Sequence, residues 1–163
     1  MKKAGVLAIY AFAAAGLFAL GTYPSPPAKG TNSSAATAPG TAEQFYAAGY
    51  KAATAGNFGE AISDFTSAID MKADYAEAYN MLAYSQRMTG DIKNSMNNYV
   101  KALSLKPDFP QAREYYGEAF LMDNNLNGAV AQYIILEKAR RREASVLLES
   151  ISKYLSEHPN AQS

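Results

Sequence analysis

The sequence contains no cysteine, no tryptophan and one histidine, and its 163 residues include 15 basic and 15 acidic side chains. Without cysteine there is no disulfide, thiolate metal site or cysteine nucleophile, and His158 alone cannot form an imidazole-rich metal site. A net charge of zero lacks the positive excess that nonspecific phosphate binding requires. Spacings typical of phosphate loops, serine hydrolases, zinc proteases and calcium loops are also missing. We therefore expect a non-enzymatic protein without cofactor, metal or nucleic-acid partner.

Residues 1–21 have the pattern of an export signal. Lys2 and Lys3 precede an uncharged, largely apolar run over residues 4–20, and Ala19 and Gly21 are the small residues that a cleavage site needs. Cleavage before Thr22 would give a periplasmic or secreted protein. Alternatively, the apolar run is an uncleaved membrane anchor or a hydrophobic helix buried in the domain.

Residues 22–41 are rich in Pro, Ser, Thr, Ala and Gly, and Lys29 is their only charged residue. This composition cannot bury a core, so it predicts a disordered linker, either a functional spacer or an unselected leader. Residues 42–163 contain 12 basic and 15 acidic residues and are mildly acidic. We predict a folded domain over 42–157 and a short tail over 158–163.

The domain contains an internal repeat of 34 residues. Residues 42–75 align with 76–109 without a gap, a third copy spans 110–143, and Tyr50 with Tyr84 and Gly56 with Gly90 are among the identical pairs. Helical periodicity and turn signals predict two helices in each copy. The predicted helices span 42–55, 58–71, 76–89, 92–105, 110–123, 126–139 and 143–156. Thr41, Asn57, Asp74 and Asp108 are expected to cap helices, because Glu or Gln follows each of them by three residues.

These units resemble the tetratricopeptide repeat, which places small and bulky residues at fixed positions of a helix pair. The positions that carry the resemblance are Phe45, Ala48, Gly49, Ala61, Phe65 and Ala68 in the first unit, Tyr79, Leu82, Ala83, Tyr99, Ala102 and Pro107 in the second, and Tyr116, Gly117, Phe120, Ala129 and Tyr133 in the third. Departures occur at Ala52, Ala73, Gln86 and Arg113. The resemblance implies an all-α, right-handed superhelical solenoid of antiparallel helix pairs closed by a capping helix.

The predicted capping helix over 143–156 has an apolar stripe at helical spacing. Its members are Ala144, Leu147, Leu148, Ile151, Tyr154 and Leu155. We expect this stripe to pack on the third helix pair. The alternative is a helix that lies on a membrane surface, although its polar face has few cations.

In this family the first helix of each pair lines a concave groove that binds peptides. The resemblance therefore implies a partner-binding groove formed by Tyr46, Tyr50, Asn80, Tyr84, Arg87, Met88, Glu114, Glu118, Leu121 and Met122, with Glu43, Glu77 and Gln111 as further candidates. Tyr50 and Tyr84 lie one repeat apart and are either an aromatic ladder beside the methionines or part of the core. Glu114 and Glu118 lie four apart on one helical face, and we expect them to meet water rather than act as paired catalytic carboxylates.

The functional prediction is an exported adaptor that binds a protein or peptide partner and helps to assemble a cell-envelope complex. The Tyr, Met and Glu lining favours an apolar or mildly basic partner segment. The alternative is a structural module that self-associates through the repeat ends or the last helix.

Overall fold

The computed structural model describes residues 40–161, which form seven α-helices and no strand. The helices are α1 (Ala42–Thr54), α2 (Phe58–Met71), α3 (Ala76–Met88), α4 (Ile92–Leu105), α5 (Pro110–Met122), α6 (Leu126–Lys138) and α7 (Glu143–Glu157). Each bound lies within one residue of the bound predicted from the sequence. The predicted export segment and nearly all of the predicted linker lie outside the described residues.

The N-terminus of α1 has the predicted cap. The Thr41 backbone N–H donates to Gln44 Oε1 at 2.8 Å, and the Gln44 backbone N–H donates to Thr41 Oγ1 at 3.3 Å. These two hydrogen bonds satisfy N–H groups that a helix terminus otherwise leaves free.

Three predicted caps are wrong. Asn57 precedes α2, but its side chain makes no capping hydrogen bond. Asp74 and Asp108 lie one residue too early, because the residues directly before α3 and α5 are Tyr75 and Phe109.

Two residues that were not predicted to cap helices do so. The Asp91 side chain accepts from the Asn94 backbone N–H at 3.4 Å, and Asn125 Oδ1 accepts from the Gly128 backbone N–H at 2.9 Å. Asp91 and Asn125 precede α4 and α6, so they cap the second helices of the last two pairs.

The turn inside each helix pair needs a left-handed backbone. Gly56, Gly90 and Asn124 are spaced 34 residues apart and have φ values of 80°, 86° and 57°. Glycine adopts this conformation without steric cost, and asparagine tolerates it better than most residues. The repeat is thus visible in the backbone as well as in the sequence.

Consecutive helices pack as pairs, α1 with α2, α3 with α4 and α5 with α6, and the pairs stack through α2 with α3 and α4 with α5. The first helices of neighbouring pairs also touch, α1 with α3 and α3 with α5, so they share one face of the stack. Helix α7 contacts both α5 and α6 and closes its end. This arrangement is a helical solenoid with a capping helix.

Small residues let the helices approach closely. A Cβ atom added at Gly49 would lie 2.9 Å from the Phe65 ring, and one added at Gly117 would lie 2.5 Å from Leu147 Cδ2. Ala61, at the first pair, is fully buried. Gly49 and Ala61, two of the small residues that carry the resemblance, therefore lie at closely packed positions.

The apolar stripe of α7 packs on the third helix pair. Ala144, Leu147 and Ile151 are buried and share a cluster with Leu136 of α6. Leu148 is 44% exposed, so the prediction that it belongs to this buried stripe is wrong. It follows Leu147 directly, and one helical residue turns a side chain by about 100° away from the buried side.

Within residues 40–161, no helix combines the length and the apolar character that crossing a bilayer requires.

Candidate functional site

The ten predicted groove residues all lie on α1, α3 and α5, whose shared side we call the first-helix face. They divide by exposure into three groups. Tyr46, Asn80, Arg87 and Leu121 are buried, Tyr50, Tyr84, Glu114 and Glu118 are half-buried, and Met88 and Met122 are exposed. The four buried side chains lie beneath the surface of this face, whereas the other six side chains have accessible surface for a partner to contact.

The 34-residue offset arranges these residues in rows across the repeats. One row runs from Tyr46 through Asn80 to Glu114. The next row, one helical turn further along each helix, runs from Tyr50 through Tyr84 to Glu118. Both rows change from aromatic at the first repeat to acidic at the third.

On α1, Tyr46 packs among aromatic residues of the core, and Tyr50 packs on Tyr46. The Tyr46 ring is 5.7 Å from the Phe65 ring and 5.1 Å from the Tyr75 ring, measured between centroids. Burial raises the pKa of Tyr46 far above its ordinary value, with smaller contributions from Tyr75 and Glu77. Tyr50 lies above it at 6.4 Å and keeps part of its surface exposed.

Tyr84 forms an aromatic pair on the first-helix face with Tyr115, which is not among the ten predicted groove residues. Its ring is 5.2 Å from the Tyr115 ring and 6.0 Å from the Phe58 ring, which it meets edge to face. Burial raises the pKa of Tyr84. Like Tyr50, Tyr84 therefore combines contacts to neighbouring rings with partly exposed surface.

Arg87 and Glu118 form an ion pair that joins the second repeat to the third. Arg87 Nη2 lies 2.7 Å from Glu118 Oε2, and the two side chains are only 10% and 24% exposed. Ser150 of α7 donates to the other carboxylate oxygen of Glu118 at 3.3 Å. The expectation that Glu118 faces water is therefore wrong.

The charge of Arg87 is stabilised by its surroundings. Burial is the largest single effect and lowers its pKa, but Glu118, Tyr99 and Tyr84 together outweigh burial and raise it. The guanidinium carbon also lies 5.6 Å from the ring centroids of Tyr84 and Tyr115, within the range of cation–π attraction.

Glu114 lies one turn before Glu118 and is half-buried, so it does not simply meet water either. Burial, and then the charges of Glu118 and Glu143, raise the pKa of Glu114 to about 8, and Arg87 and Arg142 offset only part of this shift. Within residues 40–161 no hydrogen bond or ion pair reaches the Glu114 side chain.

Asn80 is the residue equivalent to Glu114 in the second repeat, and it is only 1% exposed. Neither its Nδ2 nor its Oδ1 atom has a hydrogen-bond partner in the described part of the chain. Such groups are rare in folded proteins, because a buried polar atom without a partner is energetically costly.

Two contributors to this site were missed from the sequence. Tyr115 has a weak signal, because adjacent Tyr115 and Tyr116 cannot be told apart by type, and both pack against the cluster of Ala83, Tyr99 and Ala119. Ser150 has none, because the sequence assigns α7 to capping only. No group of three or more His, Asp or Glu in residues 40–161 is placed to hold a metal ion.

A sequence profile of the tetratricopeptide repeat matches residues 76–109. No curated protein sequence matches the chain.

Solved structures match most of the described helices. The tetratricopeptide-repeat domain of Arabidopsis OM64 is similar with a TM-score of 0.63 and 17% identity, over 69% of this chain and 95% of that one. The first such domain of Spaghetti (RPAP3), solved with the HSP90 peptide SRMEEVD, has a TM-score of 0.63 and 22% identity, over 71% and 93%.

The type III secretion chaperone SycD of Yersinia enterocolitica, solved with a peptide of the translocator YopD, has a TM-score of 0.61 and 16% identity, over 70% of this chain and 88% of that one. At such low identity these matches establish the fold. Residues 76–109 are a tetratricopeptide repeat, and the seven helices have the fold of a tetratricopeptide-repeat domain closed by a capping helix.

Proposed function

We propose that this protein is a non-enzymatic adaptor that binds an extended segment of a protein partner on its first-helix face. The observation that carries the proposal is the group of partly or largely exposed Tyr50, Tyr84, Met88 and Met122 side chains on that face. Tyrosine gives large contact area with few rotatable bonds, and methionine adapts to irregular surfaces.

Two of the similar structures support this proposal. The Spaghetti domain was solved with an HSP90 peptide and SycD with a YopD peptide, so the same fold binds peptides in other proteins. Here the face carries the Arg87–Glu118 ion pair and the half-buried Glu114. An apolar or mildly basic partner segment fits this charge better than an acidic one.

We further propose that the protein acts outside the cytoplasm, in the assembly of a cell-envelope complex. The support is the sequence pattern of Lys2 and Lys3 followed by an apolar run and small residues at Ala19 and Gly21. The mass of the N-terminal peptide of the natural protein tests this. A mass beginning at Thr22 would indicate a cleaved signal, and one beginning at Met1 would indicate a retained segment, either an anchor or a helix of the domain.

The binding proposal is tested by proximity labelling of the natural exported protein. The test variant combines Tyr84→Ala with Met88→Ala. The control variant combines Met71→Ala with Val100→Ala, because both of these residues are 51% exposed but lie on the second helices α2 and α4. Melting temperatures equal to that of the wild type, measured by circular dichroism, would show that both variants remain folded.

We expect one or more partners to be captured by the wild type and the control and lost from the test variant. If both variants keep every partner, binding does not use the first-helix face and the proposal is wrong.

Self-association is the second candidate function. Four large apolar side chains near the end of the solenoid are 41–46% exposed, and they are Ile134, Ile135, Val146 and Leu148. Sedimentation equilibrium over a wide concentration range tests it. A mass that rises with concentration for the wild type, and not for a Leu148→Glu variant, would favour this function over the adaptor.

A further inference from the structure

We propose that a pocket between the α4–α5 turn and the C-terminal end of α6 binds an aromatic side chain of a partner protein that has an acidic residue next to it. The pocket has a volume of about 280 Å³, and none of its lining residues is among the ten predicted groove residues. It is therefore a second site, separate from the first-helix face, and the inference goes beyond the proposed function. Three observations support it, namely an arginine in place of a ring, apolar walls, and a cation without an acid.

The first support is a difference between the third repeat and the other two. The residue that is Phe45 in the first repeat and Tyr79 in the second is Arg113 in the third. The Tyr79 ring lies near α4, where Lys101 Nζ is 5.9 Å from the ring centroid. The residue equivalent to Lys101 in the third repeat is Ile135, which lines the pocket together with Arg113. The pocket therefore lies where the second repeat places a ring of its own.

The second support is the chemistry of the walls. Pro107, Ile135, Leu136 and Ala139 line the pocket with apolar groups, and Ile135 is 42% exposed. A ring that covers these groups removes apolar surface from water. A volume of about 280 Å³ is below the usual range of sites that enclose a whole small-molecule ligand, so the pocket suits a single side chain and its flanking backbone.

The third support is the charge of Arg113. Its Nη1 donates to Gln132 Oε1 at 3.3 Å and its Nη2 donates to the Pro107 carbonyl oxygen at 3.0 Å, and both acceptors are neutral. None of the ion pairs within residues 40–161 includes Arg113. The other cation at the pocket, Arg141, is paired with Asp108 at 2.6 Å. The charged groups that line the pocket therefore sum to one positive charge.

These supports together define the occupant. The ring of a phenylalanine or tyrosine would lie against the apolar walls. A guanidinium has five N–H groups, so Arg113 can still donate to the carboxylate of an aspartate or glutamate beside that ring. Such a segment differs in charge from the apolar or mildly basic one proposed for the first-helix face, so the two sites would recognise different sequences.

The experiment measures the binding of synthetic peptides to the full-length protein by amide NMR. The probe is the tetrapeptide Gly-Asp-Phe-Gly with both ends blocked. One control peptide has alanine in place of the phenylalanine, and another has asparagine in place of the aspartate. Chemical-shift changes of the Ile135 and Ala139 amides report binding at the pocket, and those of Tyr50 and Tyr84 report binding at the first-helix face.

Three variants change the pocket in different ways. Arg113→Tyr gives the third repeat the ring of the second, Ala139→Leu fills the pocket from an exposed position at the end of α6, and Arg113→Gln removes the positive charge. Arg140→Gln is the matched control, because it removes an exposed arginine close in sequence that does not line the pocket. Ala139→Leu keeps the test decisive if Arg113→Tyr does not fold.

We expect the wild type and Arg140→Gln to bind the probe with equal affinity. The alanine peptide should bind at least about tenfold more weakly, because the ring supplies most of the apolar contact. Arg113→Gln should weaken binding of the probe about threefold, as for a partly exposed ion pair, and should leave binding of the asparagine peptide unchanged. Arg113→Tyr and Ala139→Leu should abolish the shift of the Ile135 amide.

Four results would overturn the inference. They are an absence of shifts at Ile135 and Ala139 in the wild type, equal binding of the probe and the alanine peptide, binding that survives Ala139→Leu, and an equal effect of Arg113→Gln on the aspartate and asparagine peptides. A free protein that is dimeric and becomes monomeric on Ala139→Leu would also overturn it, because the occupant is then a second copy. None of these results concerns the first-helix face, so the proposed function stands or fails separately.

Discussion

Arg87 places a full positive charge where almost no water reaches it, and within residues 40–161 only Glu118 forms an ion pair with it. Replacing Arg87 with Met leaves the Glu118 carboxylate in a mostly buried position without a cation. We expect the free energy of unfolding to fall by about 3 kcal/mol, as for other buried pairs that lose one partner. Urea unfolding at fixed pH measures this loss.

The control is Lys106→Met, which breaks the pair with Glu77. Those side chains are 44% and 27% exposed, and we expect a loss below about 1 kcal/mol. Equal losses in the two variants would mean that burial does not strengthen the Arg87–Glu118 pair.

Glu114 gives stability a dependence on pH. In the folded protein the carboxyl keeps its proton up to about pH 8, whereas in the unfolded chain it titrates near the ordinary value of 4.5. The folded state therefore binds more protons between these values, so this group lowers stability as pH rises through that window. Urea unfolding at several pH values should show a smaller decline for Glu114→Gln than for the wild type. An unchanged slope would mean that Glu114 titrates normally in the folded state.

At the scale of the helix, the caps offer a comparison within one chain. Asn125 accepts a hydrogen bond from the Gly128 backbone, whereas Asn57 precedes α2 without making one. We expect Asn125→Ala to lower the free energy of unfolding by about 1 kcal/mol and Asn57→Ala to change it little. Thermal unfolding of the two variants would contradict the assignment if both lost the same stability.

Contacts between helices are tested at two glycines. A Cβ atom at Gly117 would lie within 3 Å of two methyl carbons of buried Leu147, whereas one at Gly59 would meet nothing within 4 Å. We expect Gly117→Ala to destabilise the protein by about 1–3 kcal/mol through overpacking. Gly59→Ala should stabilise it by about 0.5–1 kcal/mol, because alanine favours the helix.

Urea unfolding compares the two variants, and adding Leu147→Val to Gly117→Ala should restore part of the loss. A stabilising Gly117→Ala would mean that α5 and α7 are not held at this distance.

The helices could be predicted from the sequence because the signals for each helix come from residues that are close together in the chain. The apolar spacing, the turn at Gly56, Gly90 and Asn124, and the 34-residue period all lie within one helix pair or its copy. The caps were predicted less well, since Asp74 and Asp108 have the right side chains at positions one residue too early. A side chain caps a helix only if the backbone turns at that residue, and the aromatic residues that follow occupy the turn instead.

At the scale of the whole molecule, α1 and α2 make no contact with α5, α6 or α7 among the described helices. Stability in such a stack is carried by contacts between neighbours. Leu147→Ala should therefore cost about 2–5 kcal/mol and raise amide hydrogen exchange most in α5, α6 and α7, and least in α1 and α2. Leu148→Ala, at a site 44% exposed, is the control. Uniform faster exchange along the chain would show that the solenoid unfolds as one unit.

The binding site was only partly predictable at this scale. The repeat placed its residues on one face, because equivalent positions of first helices lie side by side. The repeat did not show which of these residues are buried by contacts with other elements. The Arg87–Glu118 pair joins residues 31 positions apart in different repeats, and the Ser150–Glu118 hydrogen bond joins residues 32 positions apart, in α7 and the third repeat. The expectation of water around Glu114 and Glu118 failed for this reason.

The ion pair between the second and third repeats also gives the solenoid a fixed order. The residue equivalent to Glu118 in the second repeat is Tyr84. If the second repeat were duplicated, Arg87 of the first copy would meet a tyrosine where it now meets a carboxylate. Each such junction would bury an uncompensated positive charge, so this chain resists the shuffling and misregistered pairing to which chains of near-identical repeats are prone.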